Sequence, residues 1–438
     1  MLTKQDNEIM CRVGPTTMMG NLMRQFWIPV LTSQELVTPD CPPLRVRLLG
    51  EDLIAFRATS GAVGLVSHAC PHRGASLFFG RNEEDGLRCV YHGWKFDVTG
   101  ACVDMPSEPA ESNFKTKVRA HAYPCRERGG VIWTYMGPRE EPPPMPMIAG
   151  NMDDANPSTV TKSLRQCNWF QGLEGDIDTS HVGFLHRVFG RQAELGTFEQ
   201  YLDRDRHPKY AAADMEYGTI YGAYRPAEPG SNYWRIGQFL FPFYTMPGTG
   251  ILGGSKGRRG YRLWVPLDDD NTMFWMITPS VAASGGSSGP AAAGFANRGY
   301  KEDSTDWLGR WRLAACAGND YLIDRDMQRN INYTGIDGIH LQDQAITESM
   351  GTIYERTREH LGTSDRMVIQ TRRRVIAAAK KLAETGEVPA SVDEPSLLMV
   401  RSGGVVLPAE ADWLEATSDL RRANVDDVYE EQARVGLT

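Results

Sequence analysis

Two short stretches of this chain set sulfur and imidazole at metal-ligand spacing: Cys70-x-His72 in "CPHRGA" and Cys89-x-x-His92 in "CVYHGW". Zinc accepts two thiolates with two imidazoles, so a structural zinc site is the first possibility. Three features weigh against it. The order is Cys-His followed by Cys-His, whereas zinc fingers pair Cys with Cys and His with His. Both pairs fall on predicted loops between strands, not on a strand-helix finger. Gly74 and Gly93 lie close behind the ligands, where a residue without Cβ lets backbone amides approach a cluster. A two-iron, two-sulfide cluster suits the set better. One iron would take the cysteines and the other the histidines, and neutral imidazole in place of thiolate raises the reduction potential.

A second donor group follows in "EGDIDTSHVGFLH", with Asp178, His181 and His186. An oxygen-activating iron with open positions is commonly held by two histidines and one carboxylate. At ~100° per residue, Asp178 and His181 share one face of a helix, but His186 lies about 140° round from His181. Both histidines can meet one metal only if the helix ends or bulges between them, and Gly183 is a candidate for that break. A lone histidine is more often a solvated or satisfied polar residue. Two within six residues, preceded by a carboxylate, reverse that preference.

The stretch "CPHRGASLFFGRNEEDGLRCVYHGWKFD" resembles the Rieske motif of ring-hydroxylating non-haem iron oxygenases. "VRLLGEDLIAFR", "RNEEDGLRCVYHGWKFDVTGACVDMPSEP" and "ESMGTIYERTREHLGTSDR" are similar to the phthalate dioxygenase branch, as an oxygenase component (alpha subunit). The likeness is least informative over residues 190–300. It implies a [2Fe-2S] cluster on Cys70, His72, Cys89 and His92, and a mononuclear Fe(II) on His181 and His186. Asp178 is then not a ligand but a catalytic bridge, accepting hydrogen bonds from His181 and from His92 of a neighbouring subunit. Such a bridge requires a homo-oligomer, a trimer or stacked trimers. Asp343 in "GIHLQDQAITESMG" is the implied third ligand, with Glu348 and Asp337 as alternatives, while the role of Glu174 stays open. No GxGxxG dinucleotide motif is evident, so electrons are expected from a separate NADH-dependent flavin and iron-sulfur reductase.

The implied reaction is dihydroxylation of a phthalate-like aromatic carboxylate by O2. The alternatives are O-demethylation or monooxygenation of an aryl ether or biaryl acid, or electron transfer without oxygen chemistry. A carboxylate substrate calls for cationic or hydroxyl groups in an otherwise apolar pocket. "YLDRDRHPKY" concentrates charge, and Arg206 is the first candidate to grip a carboxylate, with Ser180 and His207 next. Any one of these also reads as part of a solvated turn.

The elements that must position these groups follow from pattern. The chain has 438 residues, enough for roughly two or three domains. A formal charge of −8 argues against nucleic acid as a partner. The start lacks a basic then apolar leader and no run approaches the ~18 residues of a membrane span, so a cytoplasmic protein is expected. Eight cysteines, of which only Cys70 and Cys89 have histidines at ligand offsets, fit a reducing compartment. The predicted fold is α+β. A helical segment (1–35) leads into an all-β cluster domain (36–146), which ends in the proline-rich "GPREEPPPMP". A catalytic domain (147–390) with an antiparallel sheet flanked by helices follows, then an extension (391–438). Helices are expected over 166–186, 303–314, 340–360 and 364–386, and strands near 215–225, 233–244, 259–267 and 272–279. The small-residue stretch 281–299 reads as a mobile loop.

Overall fold

The computed structural model describes residues 2–109, 111–149, 158–190, 198–252, 260–279 and 299–423. The expectations for 281–298 and for a closing helix or frayed tail in "DVYEEQARVG" lie outside the described residues.

Helices α1 (Lys4–Cys11) and α2 (Met18–Met23) open the chain. The rest of the described N-terminal segment holds a strand and a single 3-10 turn at Ser33–Glu35. Strand β1 (Trp27–Thr32) is apolar up to its last residue and buried along its length, pairing with β11 (Val131–Tyr135), which also pairs with β10 (Cys125–Arg128). A second sheet joins β2 (Leu44–Leu48), β3 (Glu51–Arg57), β4 (Val63–Ser67) and β9 (Ala122–Tyr123). A third, small sheet joins β5 (Arg81–Glu83), β6 (Gly86–Arg88), β7 (Lys95–Phe96) and β8 (Cys102–Asp104). Its hairpins and the β4 end hold the two Cys-His loops.

The C-terminal half is built on an eight-stranded antiparallel sheet, β12-β18-β17-β16-β15-β14-β13, with β19 also on β15. Its strands are β12 (Thr159–Arg165), β13 (Lys209–Met215), β14 (Gly218–Pro226), β15 (Ser231–Leu240), β16 (Tyr244–Met246), β17 (Tyr261–Pro266), β18 (Thr272–Thr278) and β19 (Gly403–Pro408). Helices α3 (Trp169–Ile177), α4 (Phe198–Arg204), α5 (Arg325–Asn330), α6 (Ile339–Ser349), α7 (Arg366–Thr385) and the short α8 (Trp413–Ala416) accompany it. The architecture is α+β, as expected. In α7 the buried Met367, Val368, Thr371, Arg372, Val375, Ile376 and Ala379 recur at helical spacing, and Gly386 closes the helix in the left-handed conformation at φ 75°.

One apolar cluster runs from Met10 through Trp27 and Trp133 to Trp169, Trp264 and Val400, crossing the proline-rich segment at 137–146, which holds no helix or strand. A separate cluster, including Phe56, Leu77, Trp94 and Phe96, packs round Cys70 and Cys89. No described helix is long and apolar enough to cross a membrane.

The expected helix at 303–314 is absent: the segment forms turns closed by a Tyr300–Leu313 bridge. A tertiary interaction outweighs helix propensity there. Buried Glu35 receives Lys162 Nζ at 2.6 Å, Arg310 Nη1 at 2.7 Å and Trp311 Nε1 at 2.9 Å. Trp311 takes a positive φ of 62° in this arrangement. Lys162 also lies 4.2 Å over the Trp275 ring. Glu35 thereby ties the N-terminal segment to β12 and to the 303–314 turns.

Burial opposes ionisation of Glu35, but Lys162, Arg310 and the hydrogen bonds from Lys162 and Trp311 outweigh it and hold the carboxyl at about 2. Glu35→Gln leaves buried Lys162 and half-buried Arg310 without their shared counter-charge, and a loss of about 3–5 kcal/mol is expected in denaturant unfolding. Because the folded pKa lies below the unfolded value of about 4.3, this stabilisation is complete above that pH and is lost as pH falls toward 2. The substitution should therefore flatten the acid limb of the stability profile; an unchanged limb would contradict the assignment.

Candidate metal centres and active site

The two Cys-His loops are built alike. Cys70 N–H donates to Ala75 O at 2.8 Å, and Gly74 N–H returns to Cys70 O at 2.8 Å. Cys89 N–H donates to Trp94 O at 2.8 Å, and Gly93 N–H returns to Cys89 O at 2.9 Å. Each loop turns through a glycine at positive φ, 76° at Gly74 and 78° at Gly93, which a side chain would strain. The result brings two buried thiols together with two imidazoles whose ring centres are 4.4 Å apart. Trp94 stacks on His72 at 4.3 Å and 15°, and donates Nε1–H to Ser107 Oγ at 3.1 Å. His72 Nδ1 is buried without a protein partner, and burial pushes the Cys70 thiol up to about 11. Buried thiols and an orphaned imidazole nitrogen fit a group that supplies positive charge, so the donor set suits a [2Fe-2S] cluster.

The second group depends on where α3 stops. Buried Asn168 caps its start by accepting from Phe170 N–H, while its amide donates to Cys11 O at 2.9 Å and Asp269 O at 2.8 Å. Gln171 Nε2 donates to Thr347 O and Gly351 O, fixing α3 against the end of α6. Glu174 sits between Arg356 at 2.8 Å and Arg372 at 2.5 Å, which makes it a buried structural anion. The helix ends at Ile177, earlier than the expected break at Gly183. Asp178 is extended at φ −78°, ψ 128°, and a single 3-10 turn follows over His181–Gly183.

That early stop lets both histidines face one point. Ser180 N–H donates to Asp178 Oδ1 at 2.7 Å, and His181 Nδ1 lies 3.2 Å from Asp178 Oδ2. His186 Nδ1 lies 2.7 Å from Gln342 Oε1 on α6. With both Nδ1 atoms engaged, His181 Nε2 and His186 Nε2 point at each other across 3.1 Å, and Asp343 Oδ1 is 3.1 Å from His186 Nε2 and 3.8 Å from His181 Nε2. The three donor atoms lie within 4.8 Å of one another, a set that can hold one metal ion. Burial opposes ionisation of Asp178, yet the His181 hydrogen bond and charge and the Ser180 and His181 amides hold it below the ordinary carboxylate range. Of the alternative carboxylates, Glu348 accepts from Tyr321 at 2.5 Å and from Gln166 N–H at 2.9 Å, away from this group, and Asp337 does not join it.

A cavity of about 270 Å³ opens on His181, His186 and Asp343, and Asp178, Arg206, Arg235 and Arg262 also line it. Arg262 is neutralised by Asp176, which also accepts from Thr245 at 2.7 Å and Trp264 at 2.8 Å. Arg235, only 7% exposed, donates Nε–H to Gly248 O at 2.9 Å and a second N–H to Thr179, and has no carboxylate partner among the described residues. Its guanidinium lies 4.4 Å from the Phe198 ring centre. Arg206 lines the cavity as expected. Ser180 and His207 do not. The Ser180 hydroxyl is paired with Tyr210, and His207 is 97% exposed beside Asp205. Arg235 was hidden from the motif reading in "NYWRIGQF"; its signal was a charge in the middle of an otherwise buried strand.

The sequence matches the Rieske [2Fe-2S] domain over residues 26–122 and the "LigXa C-terminal domain like" family over residues 134–435. It is 44% identical over 426 residues to the 3-chlorobenzoate-3,4-dioxygenase oxygenase subunit of Comamonas testosteroni, covering 94% of this chain and 97% of that protein. It is 35% identical over 423 residues to the phthalate 4,5-dioxygenase oxygenase subunit of Pseudomonas putida, covering 94% of each. The crystal structure of dicamba monooxygenase bound to dicamba shares the fold, with a TM-score of 0.56 at 16% identity over 83% of this chain and 99% of that one. With two matched domains and these relatives along nearly its whole length, the chain belongs to the Rieske non-haem iron oxygenases, oxidoreductases with a [2Fe-2S] cluster and a mononuclear iron, in the branch that includes phthalate dioxygenase oxygenase subunits.

Proposed function

We propose that this chain is the oxygenase component that dihydroxylates a single-ring aromatic carboxylate with O2, as a cytoplasmic enzyme. The observation that carries the reading is Arg235, a buried cation with no carboxylate of its own, in the same cavity as His181, His186 and Asp343. A buried guanidinium without a counter-ion is costly unless a ligand supplies one, and its fork matches a carboxylate. Arg206, exposed at the rim, adds a second positive charge. The cavity, about 270 Å³, is at the small end of ligand pockets, which favours one ring over a biaryl acid.

Within this reading Cys70, His72, Cys89 and His92 hold the cluster, and His181, His186 and Asp343 hold the iron. When bound, the cluster supplies single electrons and the iron activates dioxygen. The chain's own residues position and link these groups. Asp178 orients His181 through Nδ1 and remains partly exposed, with carboxylate capacity left for a donor from outside. Val90 (58% exposed) and Tyr91 (55%) flank His92 at the tip of the cluster domain, an apolar rim suited to a neighbouring subunit's Asp178 face in a trimer or stacked trimers. Oxygenase subunits of this kind need a separate reductase or ferredoxin; the proposed donor is an NADH-dependent flavin and iron-sulfur reductase.

The reading is tested by supplying benzoates, phthalates, vanillate-like ethers and phenoxybenzoates with a surrogate reductase, NADH and labelled dioxygen. A cis-diol carrying both labelled atoms supports it, whereas a demethylated phenol with formaldehyde overturns it in favour of O-demethylation. His186→Ala should lose the mononuclear iron while the red-brown cluster spectrum survives, and a full iron count by metal analysis would refute the ligand assignment. In Asp178→Asn both metals should remain while product formation nearly stops; normal turnover removes the bridge. Arg235→Met should raise KM for a carboxylate substrate about tenfold or more, the worth of a charged hydrogen bond, and an unchanged KM would remove Arg235 from the substrate site.

A further inference from the structure

We propose that Gln342 is a positioning residue that decides which nitrogen of His186 faces the metal, an inference that rests on His181, His186 and Asp343 being the iron ligands. Gln342 is buried on α6, one residue before Asp343. Its amide is pinned at both ends. Nε2 lies 2.8 Å from the Ile336 carbonyl, which can only accept, so the NH2 group must face that oxygen. Oε1 is thereby turned to His186 Nδ1 at 2.7 Å. An oxygen that only accepts keeps the imidazole proton on Nδ1 and leaves the lone pair on Nε2. Nε2 is the atom that stands 3.1 Å from both His181 Nε2 and Asp343 Oδ1.

The acceptor behind Gln342 is itself held. Ile336 O also accepts from Asn332 Nδ2 at 3.1 Å, and Asn332 Oδ1 takes the Gly335 N–H at 2.6 Å, so the 332–336 turn is closed by one buried side chain. This turn is tied to the segment that leaves His186: Tyr333 N–H donates to Arg187 O at 2.9 Å, and Val188 bridges to Asn332. A chain of fixed groups therefore runs from Asn332 through Ile336 and Gln342 to His186. The two imidazoles are oriented by unlike partners, His181 by the Asp178 carboxylate and His186 by a neutral amide. The amide sets the tautomer without adding negative charge beside Asp343.

The test compares Q342L, which removes the acceptor, with Q342E, which keeps an oxygen at that end and, protonated on its other oxygen, still donates to the Ile336 carbonyl. Full-length protein depleted of mononuclear iron by chelation is titrated with Fe(II) alone against a competing chelator. Cluster absorption and the thermal midpoint are monitored alongside. Q342L is expected to weaken Fe(II) binding by about 10–100-fold, with the cluster spectrum and the midpoint kept, while Q342E stays within about threefold of the parent. Unchanged Fe(II) affinity in Q342L overturns the proposal. Equal loss in Q342L and Q342E also overturns it, since that would mark a merely structural residue. Should Q342L not yield folded protein, Q342M carries the same comparison. The ligand reading itself fails separately, if His186→Ala keeps its iron.

Discussion

Two imidazole nitrogens 3.1 Å apart, with a carboxylate oxygen 3.1 Å from one of them, make a donor set that one metal ion can bridge. His181 Nε2 and His186 Nε2 both present ring edges to the same point because Asp178 and Gln342 occupy their other nitrogens. That convergence constrains the backbone around it. A continued α3 would carry His181 and His186 to different faces, so the helix has to stop at Ile177 and hand over to one tight turn. The third donor comes from α6, more than a hundred and fifty residues on, and Gln171 fastens α3 to the end of that helix so the donors keep their spacing. The eight-stranded sheet behind them is the rigid base that such precision requires.

Several buried carboxylates are matched by cations brought from distant parts of the chain. Glu35 is matched by Lys162 and Arg310, Glu174 by Arg356 and Arg372, and Asp176 by Arg262. Each pairing offsets desolvation that a lone charge could not survive, and each fastens elements distant in sequence. Arg235 lies in the same region, as deeply placed as these arginines, yet only a carbonyl and a hydroxyl accept from it. Arg165 and Arg225 are likewise buried without a carboxylate partner among the described residues, but of these three only Arg235 lines the cavity beside His181, His186 and Asp343.

Much of this was legible in the residues. The Cys-His spacing and the glycines behind it led to a cluster, and the twin loops at Gly74 and Gly93 show why those glycines are there. The helix-geometry argument over 178–186 was also sound: a break was necessary, although it falls at Asp178 and not at Gly183. Asp343 could be preferred over Glu348 and Asp337 only through family resemblance, because helix position alone does not reveal that Glu348 is already held by Tyr321 and Gln166. Local charge density misled in the 201–210 stretch. His207 is adjacent to Arg206 in sequence, but just past the end of α4 the one reaches the cavity and the other solvent. The helix expected at 303–314 gave way because Arg310 and Trp311 reach Glu35 from turns, a partner nearly three hundred residues away that no local window contains.

The two metal groups are supported by different kinds of packing, and this bears on how electrons must travel. The mononuclear group lies beside the large continuous core and is gripped by a sheet, two helices and their ion pairs. The cluster loops sit in a smaller apolar cluster of their own, with Val90 and Tyr91 left open to solvent beside His92. A cluster beside exposed residues can accept electrons from one protein and pass them to another without rearranging the fold that holds it. The iron donors are instead half-buried along a cavity wall, where a substrate can reach them. Exposed Tyr91 beside His92 and partly exposed Asp178 beside His181 are the two surfaces through which the proposed contact between copies would run.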